Sequence, residues 1–226
     1  PRATPGATRR RPAARRTRRA AAVFGAGLGS RALRVLLAMG CLHAAETALR
    51  TWLFYHAVRE LGLAPVVALA VLVAGGGESF AGFQLGGALA DRSGRRTSFA
   101  AGSALAALGA WGFYGASTPD SVGLLAVSFA ALAVGGSAAT VAFRALATEL
   151  FPTPLRGRLG GWLAVASAAG FVVAMQGVAL LAGPLGSLGA GALGLALVAM
   201  PLATALVVGL PETAGAEAAA AGALAS

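Results

Sequence analysis

Lysine is missing from this chain of 226 residues, whose 18 basic side chains are all arginine. An arginine-only, alanine- and glycine-heavy composition reflects GC-rich coding and assigns no chemistry. Charge of either sign is scarce, at 12% of residues, where a soluble globular domain carries about a quarter. That shortage leaves too little polar surface to clothe a water-soluble globule. A single cysteine, Cys41, excludes an intrachain disulfide, and no Cys/His spacing suits a metal. Its place in an apolar run makes it a small core residue. No GxxxxGK[ST] stretch is present to cradle a nucleotide phosphate.

Apolar sequence fills the gap. The chain is 57% hydrophobic with a mean hydropathy of +0.75. Six runs are long enough to cross about 30 Å of hydrocarbon at 1.5 Å per residue. They cover 33–57, 65–90, 97–117, 121–147, 159–182 and 190–210. The expected fold class is an all-α membrane protein with six transmembrane helices. Thr118 before Pro119, and Thr153 before Pro154, predict helix starts with a capping hydroxyl and an N1 proline.

The arginines order these spans. With six alternating crossings, the opening segment, the second-to-third connection (Arg92, Arg95, Arg96) and the fourth-to-fifth (Arg156, Arg158) fall on one side. The other side has only Arg59. Cytoplasmic loops carry the arginine excess, so both termini are expected in the cytoplasm, with the chain multi-pass in the cell inner (plasma) membrane. Residues 1–30, Pro-broken and basic, read as a disordered cytoplasmic segment held near anionic lipid rather than a nucleic-acid binder. The bundle then spans 31–213 and a short tail 214–226.

One stretch gathers charge. In GGALADRSGRRTS, residues 86–98, Asp91, Arg92, Arg95 and Arg96 surround Gly94. Gly94 can turn the chain without a Cβ penalty. Gly82, Gly86 and Gly87 offer a thin face for close helix packing. Turn and headgroup anchoring account for Gly and Arg, but the acid Asp91 calls for a specific partner.

Gly87-Ala-Leu-Ala-Asp91-Arg92-Ser-Gly94-Arg95-Arg96 resembles the G-x-L-x-D-R-x-G-R-R loop of the major facilitator superfamily. Glu149-Leu-Phe-Pro152-Thr153-Pro-Leu-Arg156-Gly157 resembles the segment after the tenth span of its sugar-porter-like members. Leu210-Pro211-Glu212-Thr213 resembles the P-E-T tail after the twelfth span, although Ala-Gly follows where the family often has Lys. The resemblance covers residues 30–213 and implies the C-terminal half of such a transporter, a bundle built as a three-plus-three inverted repeat. The expectation is a fragment, or a split or degraded gene, with residues 1–30 as the central loop. The implied partners are a small-molecule substrate, protons, an N-terminal six-helix half and membrane lipid, with no cofactor. The resemblance also implies a cytoplasmic charge latch formed by Gly87, Asp91, Arg92, Gly94, Arg95, Arg96, Arg144, Glu149 and Arg156. In it Arg144 or Arg156 would meet Asp91, and Glu149 would meet Arg95 or Arg96.

Ionisable groups inside spans are costly and are functional candidates. Glu46 and Arg50, four apart on the first span, can neutralise one another. Glu78 follows Gly75-Gly76-Gly77, which reads as a broken helix beside a buried acid suited to proton binding. Gln176 could bind a polar solute. His43 and His56 read as packing or interface residues, and Trp52, Tyr55, Trp111, Tyr114 and Trp162 as an aromatic belt. A faint repeat sets Ala44–Arg50 against Ala138–Arg144. The function expected is secondary transport of a sugar- or organic-acid-type solute, proton-coupled. Drug efflux is the alternative, as is a non-transporting six-span scaffold; an enzyme is disfavoured for want of a catalytic constellation.

Overall fold

In an apolar medium every backbone N–H and C=O needs a partner within the chain, which leaves helices as the open-ended solution. The computed structural model describes residues 28–213; the basic segment before them and the tail after them lie outside the described residues. Six long helices run α1 (Leu28–Thr51), α2 (Pro65–Ser93), α3 (Arg95–Trp111), α4 (Val122–Glu149), α5 (Thr153–Leu185) and α6 (Leu188–Val208). Helix α1 continues through Leu53–Tyr55 into a wider π turn at His56–Glu60, and α3 ends in another at Gly112–Ala116. Five of the six are long and apolar enough to cross a membrane by themselves, and α3 reaches comparable length only with its π turn.

Two expectations about helix punctuation need correction. Thr118 lies before α4 in a turn closed by Ser121, whose N–H donates to the Thr118 carbonyl at 3.0 Å, and Ser121 takes the N-cap position. Thr153 is the first helical residue of α5, with Pro152 at the N-cap. A third correction matters more for function. Helix α2 runs unbroken through Gly75-Gly76-Gly77, so Glu78 adjoins no helix break. Three glycines cost helix propensity, about 1 kcal/mol each, yet the flanking apolar residues and the contact of Gly75 with Phe129 hold the helix.

Packing follows an inverted repeat. Helix α4 lies against α2 and α3, α1 lies against α5 and α6, and α3 touches α6. Exchanging the first three helices with the last three carries α4–α2 onto α1–α5 and α4–α3 onto α1–α6, and leaves α3–α6 unchanged. The register agrees as well. A Cβ on Gly82 would meet the backbone of Val134, and one on Gly170 would meet the backbone of Gly40. Gly40 and Val134 stand 94 positions apart, the same interval that separates Glu46 from Thr140 in the repeat seen in the sequence. The α2–α4 seam is carried by Gly82 and Gly86, whose absent side chains leave Val134 O and Ala138 Cα 2.5 Å from where a Cβ would sit. Gly87 faces open space and takes no part in that seam.

Two apolar cores result, one toward each end of the bundle. Leu49, Phe113, Leu125 and Phe129 centre one; Val35, Phe99, Phe143, Leu146 and Leu210 centre the other. Outside them, α2 and α5 leave large apolar side chains uncovered, Phe80 and Leu180 among them.

Candidate functional site

At the arginine-rich end, α2 passes into α3 through one residue. Gly94 has φ 96° and ψ 155°, a conformation close to glycine-only. A second constraint acts there, because a Cβ on Gly94 would come within 2.9 Å of the Glu212 carboxylate. That carboxylate accepts from the Arg95 N–H at 2.9 Å and the Arg96 N–H at 3.1 Å. It therefore caps α3, where free N–H groups and the helix dipole favour an anion.

Arg95 is the hub of the cluster. Its guanidinium donates to Glu149 from Nη2 at 3.0 Å and from Nε at 3.2 Å, and to Asp91 from Nη1 at 2.5 Å. Its hydrogen bonds to Glu149 push its pKa above the ordinary guanidinium value, against a smaller opposing effect of burial. The Thr213 hydroxyl donates to Glu149 from the chain beyond α6. The α2–α3 turn, the end of α4 and the segment after α6 thus meet in one charged knot. Glu149 pairs with Arg95, one of the two arginines the motif offered it. The partner of Asp91 is also Arg95, four residues on across the Gly94 turn, rather than Arg144 or Arg156. Arg156 instead donates to the Phe151 carbonyl at 3.2 Å, and Arg92 is exposed. Elsewhere at this end Arg34 caps the last turn of α6 by donating to the Gly209 carbonyl at 3.0 Å.

A second group lies within the bundle on the facing surfaces of α1 and α4. Glu46, half-buried, accepts from the Thr140 hydroxyl at 2.6 Å. Arg50 and Glu46 both border Gly136, where a Cβ would lie 3.5 Å from the guanidinium and 3.6 Å from the carboxylate. They do not form the expected ion pair, because Thr140 takes the acid and Arg50 extends to an exposed position. Toward the arginine-rich end, Arg144 enters a cavity of about 500 Å³ between α1, α4 and α5, with Met39, His43, Phe143, Thr148, Gly160, Leu163, Ala164 and Ser167. Glu78 and Gln176 stand on exposed faces of α2 and α5, apart from these groups.

The opposite end is organised around a residue that the sequence reading passed over. Glu60, closing α1, accepts from the Gly189 N–H at the start of α6, at 3.1 and 3.2 Å. His56 Nδ1 lies 2.6 Å from the same carboxylate, and its ring packs on Tyr114 and Phe113 with centroids 4.8 and 5.7 Å away. Tyr114 is buried and donates to the Leu49 carbonyl at 2.5 Å, so it belongs to the core and not to an aromatic belt. Glu212, Thr213 and Glu60 were all missed as participants. Their signal was electrostatic for Glu60: an acid in the last turn of a helix opposes the dipole and needs an outside partner.

Residues 64–214 match a family model described as "Sugar (and other) transporter". No curated protein matches by sequence. Among solved structures, the chain is similar to a peptide transporter, POT, crystallised with sulfate, at TM-score 0.69 and 22% identity over 86% of this chain and 43% of that one. It is also similar to the xylose transporter XylE from E. coli in an inward-open conformation, at TM-score 0.64 and 16% identity over 80% of this chain and 48% of that one. The chain therefore spans less than half the length of either structure.

Proposed function

Because the chain belongs to the sugar (and other) transporter family of the major facilitator superfamily, we propose that it forms one six-helix half of a secondary transporter for a small polar metabolite. The other half is an N-terminal six-helix bundle, and the two rock about a site near the midplane. The arginine-rich end and both termini face the cytoplasm, following the arginine bias. The membrane is the cell inner (plasma) membrane.

The observation that carries this reading is the charged knot at Arg95, Glu149 and Glu212. It joins three connections that are far apart in sequence through exposed or half-buried groups, so it can release and re-form without unpacking a core. Asp91 bonds to the hub, Arg96 lends it a backbone N–H and Gly94 makes its turn, while Gly87, Arg92 and Arg156 join the proposed latch on the motif alone and Arg144 belongs to the cavity.

Proton coupling is assigned to Glu46 ahead of Glu78. Glu46 is half-buried, hydrogen-bonded to Thr140 and close to Arg50, whereas Glu78 lies on the exposed face of a continuous helix. In proteoliposomes containing the full-length transporter, an inward proton gradient should drive accumulation of a labelled sugar or hydroxy acid. Glu46→Gln should abolish accumulation above equilibrium and retain exchange of the same solute. Full accumulation by Glu46→Gln would contradict the coupling role. Failure of the inserted wild-type transporter to move any solute of the panel would contradict transport itself.

A further inference from the structure

We propose that the cavity at Arg144 is a recognition site for a small hydroxylated monocarboxylate, a sugar acid or hydroxy acid. The proposal rests on the transport reading above and names the class of solute that the half takes.

The argument begins with charge. Arg144 enters a cavity between α1, α4 and α5 that has no acidic lining residue. None of the ion pairs among the described residues includes it. Arg144 is exposed in this half, so an incoming anion can reach its guanidinium. The inverted repeat sharpens this point. The register that aligns Glu46 with Thr140 also aligns Arg50 with Arg144, so each central helix carries the arginine. On α1 an acid stands one turn before it; on α4 that position is Thr140, and its hydroxyl is already given to Glu46. The α4 copy of the pattern thus carries the cation with no acid one turn before it, and no acidic side chain lines its cavity.

The hydroxyls select among anions. Thr148 donates its proton to the Ala145 carbonyl and Ser167 to the Leu163 carbonyl, each at 2.9 Å. Both oxygens therefore remain toward the cavity as acceptors, which match hydroxyl groups on a ligand. One guanidinium balances one carboxylate, which it can grip through two parallel N–H bonds. A phosphate monoester, nearly doubly charged, would call for a second fixed cation. The volume, about 500 Å³, falls within the usual range for small-molecule sites. Gly160 keeps one wall open, with nothing within 4 Å of where its Cβ would be.

The test measures equilibrium binding to the full-length transporter in phosphatidylcholine nanodiscs, with gluconate, glucose and hexanoate as probes. Gluconate should bind best, and Arg144→Gln should weaken it about tenfold or more, while Arg144→Lys keeps part of the affinity. Arg158→Gln, which removes the same charge outside the cavity, should leave gluconate binding unchanged. Ser167→Ala should narrow the preference for gluconate over hexanoate without removing the charge. Equal gluconate binding by Arg144→Gln and wild type would overturn the site, as would its displacement by phosphatidylglycerol added to the nanodiscs, which would assign Arg144 to a lipid headgroup. Transport of glucose by a wild type that does not bind gluconate would overturn the anion site and leave the transport reading standing. Arg144-dependent gluconate binding by a protein that moves no solute would do the reverse.

Discussion

The two ends of the bundle solve one problem with different chemistry. In each, an acid at the end of a central helix reaches the start of an outer helix in the other three-helix set: Glu149 of α4 meets Arg95 of α3, and Glu60 of α1 meets Gly189 of α6. The inverted repeat dictates that symmetry. The partners do not share it. Glu60 is held by a backbone N–H and by a buried histidine whose ring is packed on Phe113 and Tyr114. Glu149, 23% exposed against 17% for Glu60, is held by a guanidinium that also serves the exposed Asp91 and by the Thr213 hydroxyl. Exposure barely separates the two acids; what differs is the fastening, a backbone N–H and a packed ring at Glu60 against side chains of a turn and of the segment after α6 at Glu149. On our proposal the arginine-rich end is the clasp that opens, because its partners sit on connections, and the opposite end is the fixed joint.

Substitutions at the two ends should separate these roles. The largest stability loss is expected from Glu60→Ala, which strips the Gly189 N–H and His56 of their acceptor. Loss of a hydrogen-bonded charge of this kind costs about 1.5–3 kcal/mol, read as a lower thermal midpoint of the full-length protein in detergent. Glu149→Gln should lower the melting temperature by less than Glu60→Ala and slow solute exchange about tenfold, equivalent to about 1.4 kcal/mol in the barrier. Asp91→Asn removes the more exposed of the two acids that meet Arg95, a pair across the Gly94 turn worth about 0.2–1 kcal/mol. It should insert normally and slow transport by less than Glu149→Gln, in the same exchange assay.

Much of this arrangement was legible in the sequence, for reasons that can be named. Apolar run length reports membrane crossings because hydrocarbon thickness is fixed, so six spans and their order emerged directly. The one-residue turn at Gly94 was legible because few residues besides glycine adopt its backbone, and the repeat at Ala44–Arg50 because packing at Gly40 and Val134 follows its register. Polar contacts were harder. Asp91 was matched with distant arginines although its partner is four residues on across the Gly94 turn, since spacing alone cannot rank a local pair against a remote one. Glu46 and Arg50 suited each other by spacing, but Thr140 approaches from another helix and takes the acid. The capping role of Glu212 requires knowing that the chain after α6 returns to α3. Nothing local in Leu-Pro-Glu-Thr says so. Gly75-Gly76-Gly77 misled in the other direction, because tertiary contact with α4 overrides a weak local preference.

The most direct test of the clasp and the joint is turnover per folded molecule, measured side by side for Glu149→Gln and Glu60→Gln in proteoliposomes of the full-length transporter. The account predicts that Glu149→Gln falls about tenfold while Glu60→Gln stays within about twofold of wild type. Equal losses in both, or a loss confined to Glu60→Gln, would contradict it and move the working element to the opposite end of the bundle.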